Sequence, residues 1–225
     1  MKKVVTFSLW GEDPIYNVGA IENANLLNEI YPGWEGWFYI DKNISSNIKE
    51  NISAVPNCRV IDSNINGYDG QFTRFKVMKD YNVDVFISRD CDSRLNFKEK
   101  AAVDEWLQTK KQFHCMRDNK QWHTFPPVMA GMWGGKRDGL ININYLYNFL
   151  IKFDNNKYFD DQNGLTNIYN KLSIHFLEHD DNKCFNGINF PKHKPFTYGS
   201  FVGQQINERN KPFYREYTGG PAIEK

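Results

Sequence analysis

No apolar run in this sequence approaches the roughly 20 residues a helix needs to cross a bilayer. The chain has no basic stretch longer than two residues and no acidic tail, and its net charge is only +1. Such a chain projects no field that would gather nucleic acid or an anionic membrane, so neither is expected as a partner. Cysteine is scarce and scattered. Cys58, Cys91, Cys115 and Cys184 form no C-x-x-C pair, which leaves no zinc or dithiol motif, and they read as reduced thiols of a cytoplasmic protein. The opening MKKVVTFSLWGEDP holds too short an apolar run for a secretory signal and reads as a first strand. Without a signal, the sequons at Asn43 and Asn51 are expected to be coincidental. Internal repeats, low-complexity tracts and linkers are absent as well.

Apolar and aromatic residues, in contrast, are well supplied. The 225 residues are 40% hydrophobic, enough for one domain to fold without disulfides or a structural metal. Aromatics reach 16%, six of them Trp, which suits a core and also a cleft that stacks bases and sugar rings. Short β-branched and aromatic runs at 4–9, 37–40, 59–61, 83–88, 113–116, 128–133 and 174–177 predict strands. Helices are predicted over 18–31, stopped by Pro32-Gly33, and over 70–81, 140–153 and 165–172. Another should start at Asn96, whose side chain can cap, with Glu99 as reciprocal partner and Ala102, Val103, Trp106 and Leu107 as apolar face. Strands alternating with helices predict an α/β fold, a mainly parallel sheet with helices on both faces. Ligands of such sheets sit at the carboxyl ends of the strands.

The most apolar strand, VDVFIS at 83–88, runs directly into Arg89-Asp90-Cys91-Asp92-Ser93-Arg94. Two carboxylates one residue apart, just past a strand end, can converge on one point. They suit a hard cation such as Mn²⁺ or Mg²⁺, which takes one or two carboxylates plus phosphate oxygens and offsets the charge of a leaving diphosphate. A short D-x-D is common in solvated turns, so its place beyond a buried strand, between two arginines, carries the weight. Arg89 and Arg94 are open to two roles, ion-pair partners or ligands for phosphate and sugar oxygens.

Residues 83–107 (VDVFISRDCDSRLNFKEKAAVDEWL), with FHCMRDNKQWH at 113–123 and GMWGGK at 131–136, resemble a family of GT-A glycosyltransferases found in bacteria and large DNA viruses. Fainter echoes in the same order are SLWGEDPIY (8–16), YPGW (31–34), GQFTRF (70–75), DQ (161–162), HD (179–180) and FVGQ (201–204). The resemblance implies a GT-A nucleotide-diphospho-sugar transferase fold filling a single domain, with 1–95 as nucleotide-binding half and 96–225 as acceptor-binding half. It implies that Asp92 is the main metal ligand and that Asp90 faces the donor's ribose or sugar. His179 would complete the metal shell, with His193 its competitor. Gly131, Gly134 and Gly135 would form a loop near the acceptor, with Trp133 among them. Asp161 in the Asp160-Asp161 pair would be general base in an inverting reaction and a substrate-binding group in a retaining one.

At the nucleotide end, the same resemblance points to Ser8, Trp10 and Tyr16 around the base and Arg74 near the diphosphate. His114, Arg117, Asp118 and His123 fall near the donor sugar. The chain departs from its relatives by inserting Gln121-Trp122 and by carrying Pro126-Pro127. The expected activity is metal-dependent hexosyl transfer from a UDP- or GDP-sugar to a glycan or glycoprotein acceptor, in the cytoplasm, or a host's if the chain is viral. Two alternatives stand beside it: a non-catalytic nucleotide-sugar-binding module, and a sugar nucleotidyltransferase. The latter normally needs a glycine-rich basic phosphate loop after the first strand, where this chain has one Gly and two acids.

Overall fold

The computed structural model describes residues 1–183 and 187–213, so Cys184 falls outside the described residues. Seven strands form one sheet in the order β3-β2-β1-β4-β6-β5-β7. They are β1 (Lys3–Leu9), β2 (Glu35–Asp41), β3 (Cys58–Ser63), β4 (Val85–Arg89), β5 (Phe113–Arg117), β6 (Met132–Lys136) and β7 (Phe176–Asp180). Every pairing is parallel except the two that β6 makes, with β4 and β5. The helices are α1 (Pro14–Ile30), α2 (Ser46–Ser53), α3 (Gly70–Thr73), α4 (Phe97–Leu107), α5 (Ile143–Leu150) and α6 (Asp160–Leu172). The expected α/β architecture is present. No helix among the described residues is long and apolar enough to cross a membrane.

Alternation along β1 explains the two-faced core. Val5, Phe7 and Leu9 pack with Phe38, Ile40 and Ile87 beneath α1, α2 and α4, which contribute Ala20, Leu27, Ile52 and Trp106. Val4 turns the other way, into a cluster with Phe72, Phe75, Trp133, Leu146 and Leu165. Each such side chain, fully buried, stabilises the fold by about 1.5–3 kcal/mol before chain entropy is charged against it. Thr6 and Ser8 share the Val4 face and are polar for a reason. The Thr6 hydroxyl donates to Arg74 O at 2.9 Å, and Ser8 Oγ accepts from Arg74 N and from Thr73 Oγ1, both at 2.9 Å. These bonds tie residues 70–79 to the strand, where they form α3 and a 3-10 stretch (Arg74–Lys79) rather than the single helix expected over 70–81.

Other boundaries moved for local reasons. α1 starts at Pro14 because the Asp13 side chain accepts from Ile15 N at 3.1 Å and proline at the first turn has no N–H to lose. Asn96 caps α4 as expected, accepting from Glu99 N at 2.9 Å. β6 begins at Met132, not residue 128: Val128 and Ala130 are buried in the preceding loop, where Ala130 O accepts from Ser88 Oγ at 2.8 Å. Ile174, expected in a strand, is exposed just ahead of β7.

Candidate active site

Beyond the carboxyl ends of β1 and β4 lies a cleft of about 730 Å³. Nine residues singled out in the sequence line it: Ser8, Trp10, Tyr16, Arg74, Asp90, Asp92, His123, Gly131 and Asp161. Two of them are engaged by the fold itself. The Ser8 hydroxyl is engaged by residues 73 and 74, so it positions Arg74. The Trp10 ring lies on Gly70, where a Cβ would meet it at 2.6 Å, so part of its face is taken by packing.

The D-x-D loop is shaped from beneath by α1. Asn23, buried within that helix, donates to Ser93 O at 2.8 Å and accepts from Leu95 N at 2.9 Å. Gly19, one turn earlier, leaves room for the Cys91 carbonyl, which a Cβ would overlap. Arg94 donates to Cys91 O, Ser93 O and Asn207 O at 3.2–3.3 Å, so it organises the loop. Neither Asn23 nor Gly19 was visible as a site residue in the sequence. An Asn on the apolar face of a helix was the available signal.

At the centre Arg74 bridges two carboxylates. Nη1 pairs with Asp90 Oδ1 and Nη2 with Asp161 Oδ2, the latter at 2.9 Å. The expected diphosphate-binding residue is thus committed to the acids on either side. Burial is the main force raising the Asp161 pKa from 3.8 to about 6; Arg74 opposes it and Asp90 adds to it. Asp92 is likewise raised to about 6, by burial first and then by Asp90. Its Oδ2 accepts from Gln205 Nε2 at 2.6 Å, and its carbonyl from Ile206 N at 2.7 Å. Gln205 was missed; the FVGQ echo drew attention to Gln204, which instead accepts from Ser200 N.

Asp160 and Asp161 divide their labour. Asp160 Oδ2 accepts from Asn155 N at 2.9 Å and Lys157 N at 3.0 Å, folding the loop before α6, while Asp161 faces the cleft. Gly131 lies against Asp90, whose carboxylate a Cβ would overlap.

Three expected site residues lie elsewhere. Arg89 is 2% exposed and pairs with Glu99 at 3.0 Å under α4, since its side chain leaves the sheet on the α1 face. Trp133 is buried in β6 between Phe75 and Phe86, with Gly134 and Gly135 in the same strand rather than in a mobile loop. His179 is fully buried in β7, three strands from β4, or roughly 14 Å at about 4.8 Å per strand. Both its nitrogens are engaged, Nδ1 by His114 at 2.8 Å and Nε2 by Glu105 at 3.0 Å. It therefore does not complete a metal shell around Asp92. The competitor His193 is exposed and away from the cleft, with Nδ1 donating to Lys194 O. Of the group near the expected donor sugar, Arg117 pairs with Glu178 and Asp180, and Asp118 with Lys98; only His123 lines the cleft.

The charge count decides what the cleft can accept. Among the described residues it is lined by five carboxylates (Glu12, Asp13, Asp90, Asp92, Asp161) and by Arg74 as its one Lys or Arg. No group of three or more His, Cys, Asp or Glu among those residues is arranged as a metal cage. Asp90 and Asp92 still fit a hard cation that takes its remaining oxygens from phosphate and water. The raised Asp92 pKa is the mark of a buried carboxylate with too little positive charge beside it.

No protein-family model and no curated protein sequence matches the chain. Solved structures do match. The galactosyltransferase LgtC, in complex with donor and acceptor sugar analogues, is similar at TM-score 0.52 over 79% of this chain and 73% of its own, with 14% identity. Glucosyl-3-phosphoglycerate synthase from Mycobacterium tuberculosis, in complex with Mn²⁺, uridine diphosphate and phosphoglyceric acid, gives 0.53 over 86% and 72%, with 10% identity. A 4-diphosphocytidyl-2C-methyl-D-erythritol synthase from Anaerococcus prevotii gives 0.52 over 84% and 90%, also with 10% identity. The fold is the GT-A nucleotide-diphospho-sugar transferase fold.

Proposed function

We propose that this GT-A chain is a metal-dependent glycosyltransferase of the hexosyltransferase type. It moves a sugar from a UDP- or GDP-sugar to a glycan or glycoprotein acceptor. The observation that carries the reading is the cleft's charge: five carboxylates line it, and the guanidinium among them is bound to two. A nucleotide diphosphate brings further negative charge, so it needs a cation to enter. Asp90 and Asp92 would hold Mn²⁺ or Mg²⁺, which supplies the positive charge that offsets the departing diphosphate. Asp161, ionised at neutral pH, takes the acceptor hydroxyl's proton in an inverting reaction or binds substrate in a retaining one. Arg74 fixes the spacing of Asp90 and Asp161. On this reading residues 1–95 would serve as the nucleotide-binding half and 96–225 as the acceptor-binding half.

Sugar nucleotidyl transfer is the second reading, because the 4-diphosphocytidyl-2C-methyl-D-erythritol synthase has a similar fold. That reaction brings a nucleoside triphosphate and a sugar phosphate together, and a cleft with one committed cation is poorly built for so much charge. A thermal-shift screen of nucleotide sugars with and without Mn²⁺ tests the proposal, since a bound ligand raises the melting temperature by mass action. A shift that needs the metal and disappears in Asp92→Ala is expected, with donor hydrolysis or sugar transfer alongside. A shift indifferent to metal and to Asp92, or pyrophosphate released from nucleoside triphosphate and sugar 1-phosphate, would overturn it.

A further inference from the structure

His123 lines the cleft but takes no part in the charged bridge, and its surroundings fix it closely. Asn119 Oδ1 accepts from Gln121 N and Trp122 N, at 2.8 and 3.1 Å, while Asn119 O accepts from His123 N at 2.8 Å. This tight turn folds the imidazole back onto the end of β5. There the Asp118 amide donates to His123 Nδ1 at 3.0 Å. Asp118 is immobile in its turn, its carboxylate accepting from Lys98 Nζ at 2.5 Å and from Val202 N at 2.9 Å. Phe201 packs nearly perpendicular to the imidazole at 5.5 Å.

The amide bond decides the tautomer. A backbone N–H can only donate, so Nδ1 must present a lone pair, and the ring proton belongs on Nε2. Burial, with Arg117 nearby, holds the pKa down to about 4, which keeps the ring neutral. Nε2 has no hydrogen-bond partner among the described residues and is not one of their fully buried unsatisfied atoms, and the residue lines the cleft. Among the charged groups of the cleft, the ionised carboxylates only accept and both terminal nitrogens of Arg74 are paired, so an uncharged donor of fixed direction adds something they do not supply.

We infer that His123 presents a fixed, uncharged Nε2–H to one oxygen of the nucleotide-sugar donor, as a binding and orienting group. This rests on the proposed function of the cleft and deepens it. With its lone pair held on Nδ1, the ring offers Nε2 neither as a metal ligand nor as a base. A neutral imidazole N–H is also too weak an acid to protonate a leaving group at neutral pH. What remains is a donor whose direction is set before the ligand arrives.

Two measurements test this. Nitrogen-15 NMR of the imidazole at neutral pH should show the Nε2–H tautomer. The Nε2–H signal should move when UDP-glucose or GDP-mannose is added with Mg²⁺, whichever of the two binds. Three variants separate the hydrogen bond from packing. His123→Gln brings an amide nitrogen close to the place of Nε2, His123→Asn brings one to the place of Nδ1, and His123→Phe keeps the ring without a donor. By calorimetry, the Phe and Asn variants should bind that ligand roughly ten- to a hundredfold more weakly, and Gln within a few fold of the parent. An Nδ1–H tautomer, an imidazolium, a ring unmoved at saturation, or a Phe variant that binds as the parent does would each overturn the inference. Binding that needs Asp92 but ignores His123 sinks this inference alone. A parent that binds neither ligand with Mg²⁺ sinks the functional proposal and this inference with it.

Discussion

Replacing Asp92 by Asn probes the electrostatics of the cleft most directly. Asp92 is 7% exposed, and burial together with the Asp90 carboxylate lifts its pKa from 3.8 to about 6. A rise of roughly two units corresponds to about 3 kcal/mol by which the folded state prefers the neutral acid. Asparagine has the shape of that neutral acid and can keep its oxygen toward Gln205, so Asp92→Asn should stabilise the ion-free protein by about 1–3 kcal/mol at neutral pH. The sign fixes the pH window. An acid raised on folding contributes its stability fully below its unfolded pKa, 3.8, and loses it as pH rises through about 6. The variant's advantage should therefore be absent at the lower end of that window and complete above the upper end. Mn²⁺ at a hundredfold excess over its dissociation constant should stabilise the parent by about 2.7 kcal/mol and the variant far less. Urea unfolding followed by circular dichroism, with and without Mn²⁺, measures all three quantities. A variant no more stable than the parent at neutral pH, or one stabilised equally by Mn²⁺, would refute the reasoning.

Gly131→Ala should fold normally but push the Asp90 carboxylate off Arg74, and a displacement near 1 Å at such a site can cost roughly a hundredfold in rate; donor hydrolysis and circular dichroism together check it. Arg89→Met should cost about 3–5 kcal/mol of stability by leaving Glu99 buried without its partner, while nucleotide affinity measured by calorimetry stays unchanged. Burial lowers the pKa of both His114 and His179, so their stability contribution is present above the ordinary histidine pKa and lost as pH falls through it. His114→Phe should flatten the decline in urea midpoint between neutral pH and about pH 5 relative to the parent; a slope identical to the parent's would show that these rings do not titrate as described.

Much of the fold and part of the cleft could be read from residue order. The 2-residue period of β1, the apolar run of β4 and the Asn96 cap are local signals, because strand alternation and capping involve neighbours in the chain. Asp90 and Asp92 follow from β4 for the same reason, since what leaves a central parallel strand must emerge at the ligand end of the sheet. His179 and Arg89 show where such reading stops. Both stand in or beside motifs that looked functional, yet one belongs to a strand at the far edge and the other leaves its strand on the wrong face. Strand order within a sheet is set by crossover connections, and these depend on how helices pack, which no run of residues states.

The amino-acid order alone determined that an α/β sheet would form and that a pair of acids would crown its central strand. Tertiary structure decided that Arg74 stands between Asp90 and Asp161, that Gln205 reaches back to Asp92, and that His123 has its tautomer chosen by a neighbouring amide. Those contacts join residues up to 113 positions apart. Hydrogen bonds and ion pairs act over a few ångströms in space, whatever the separation along the chain.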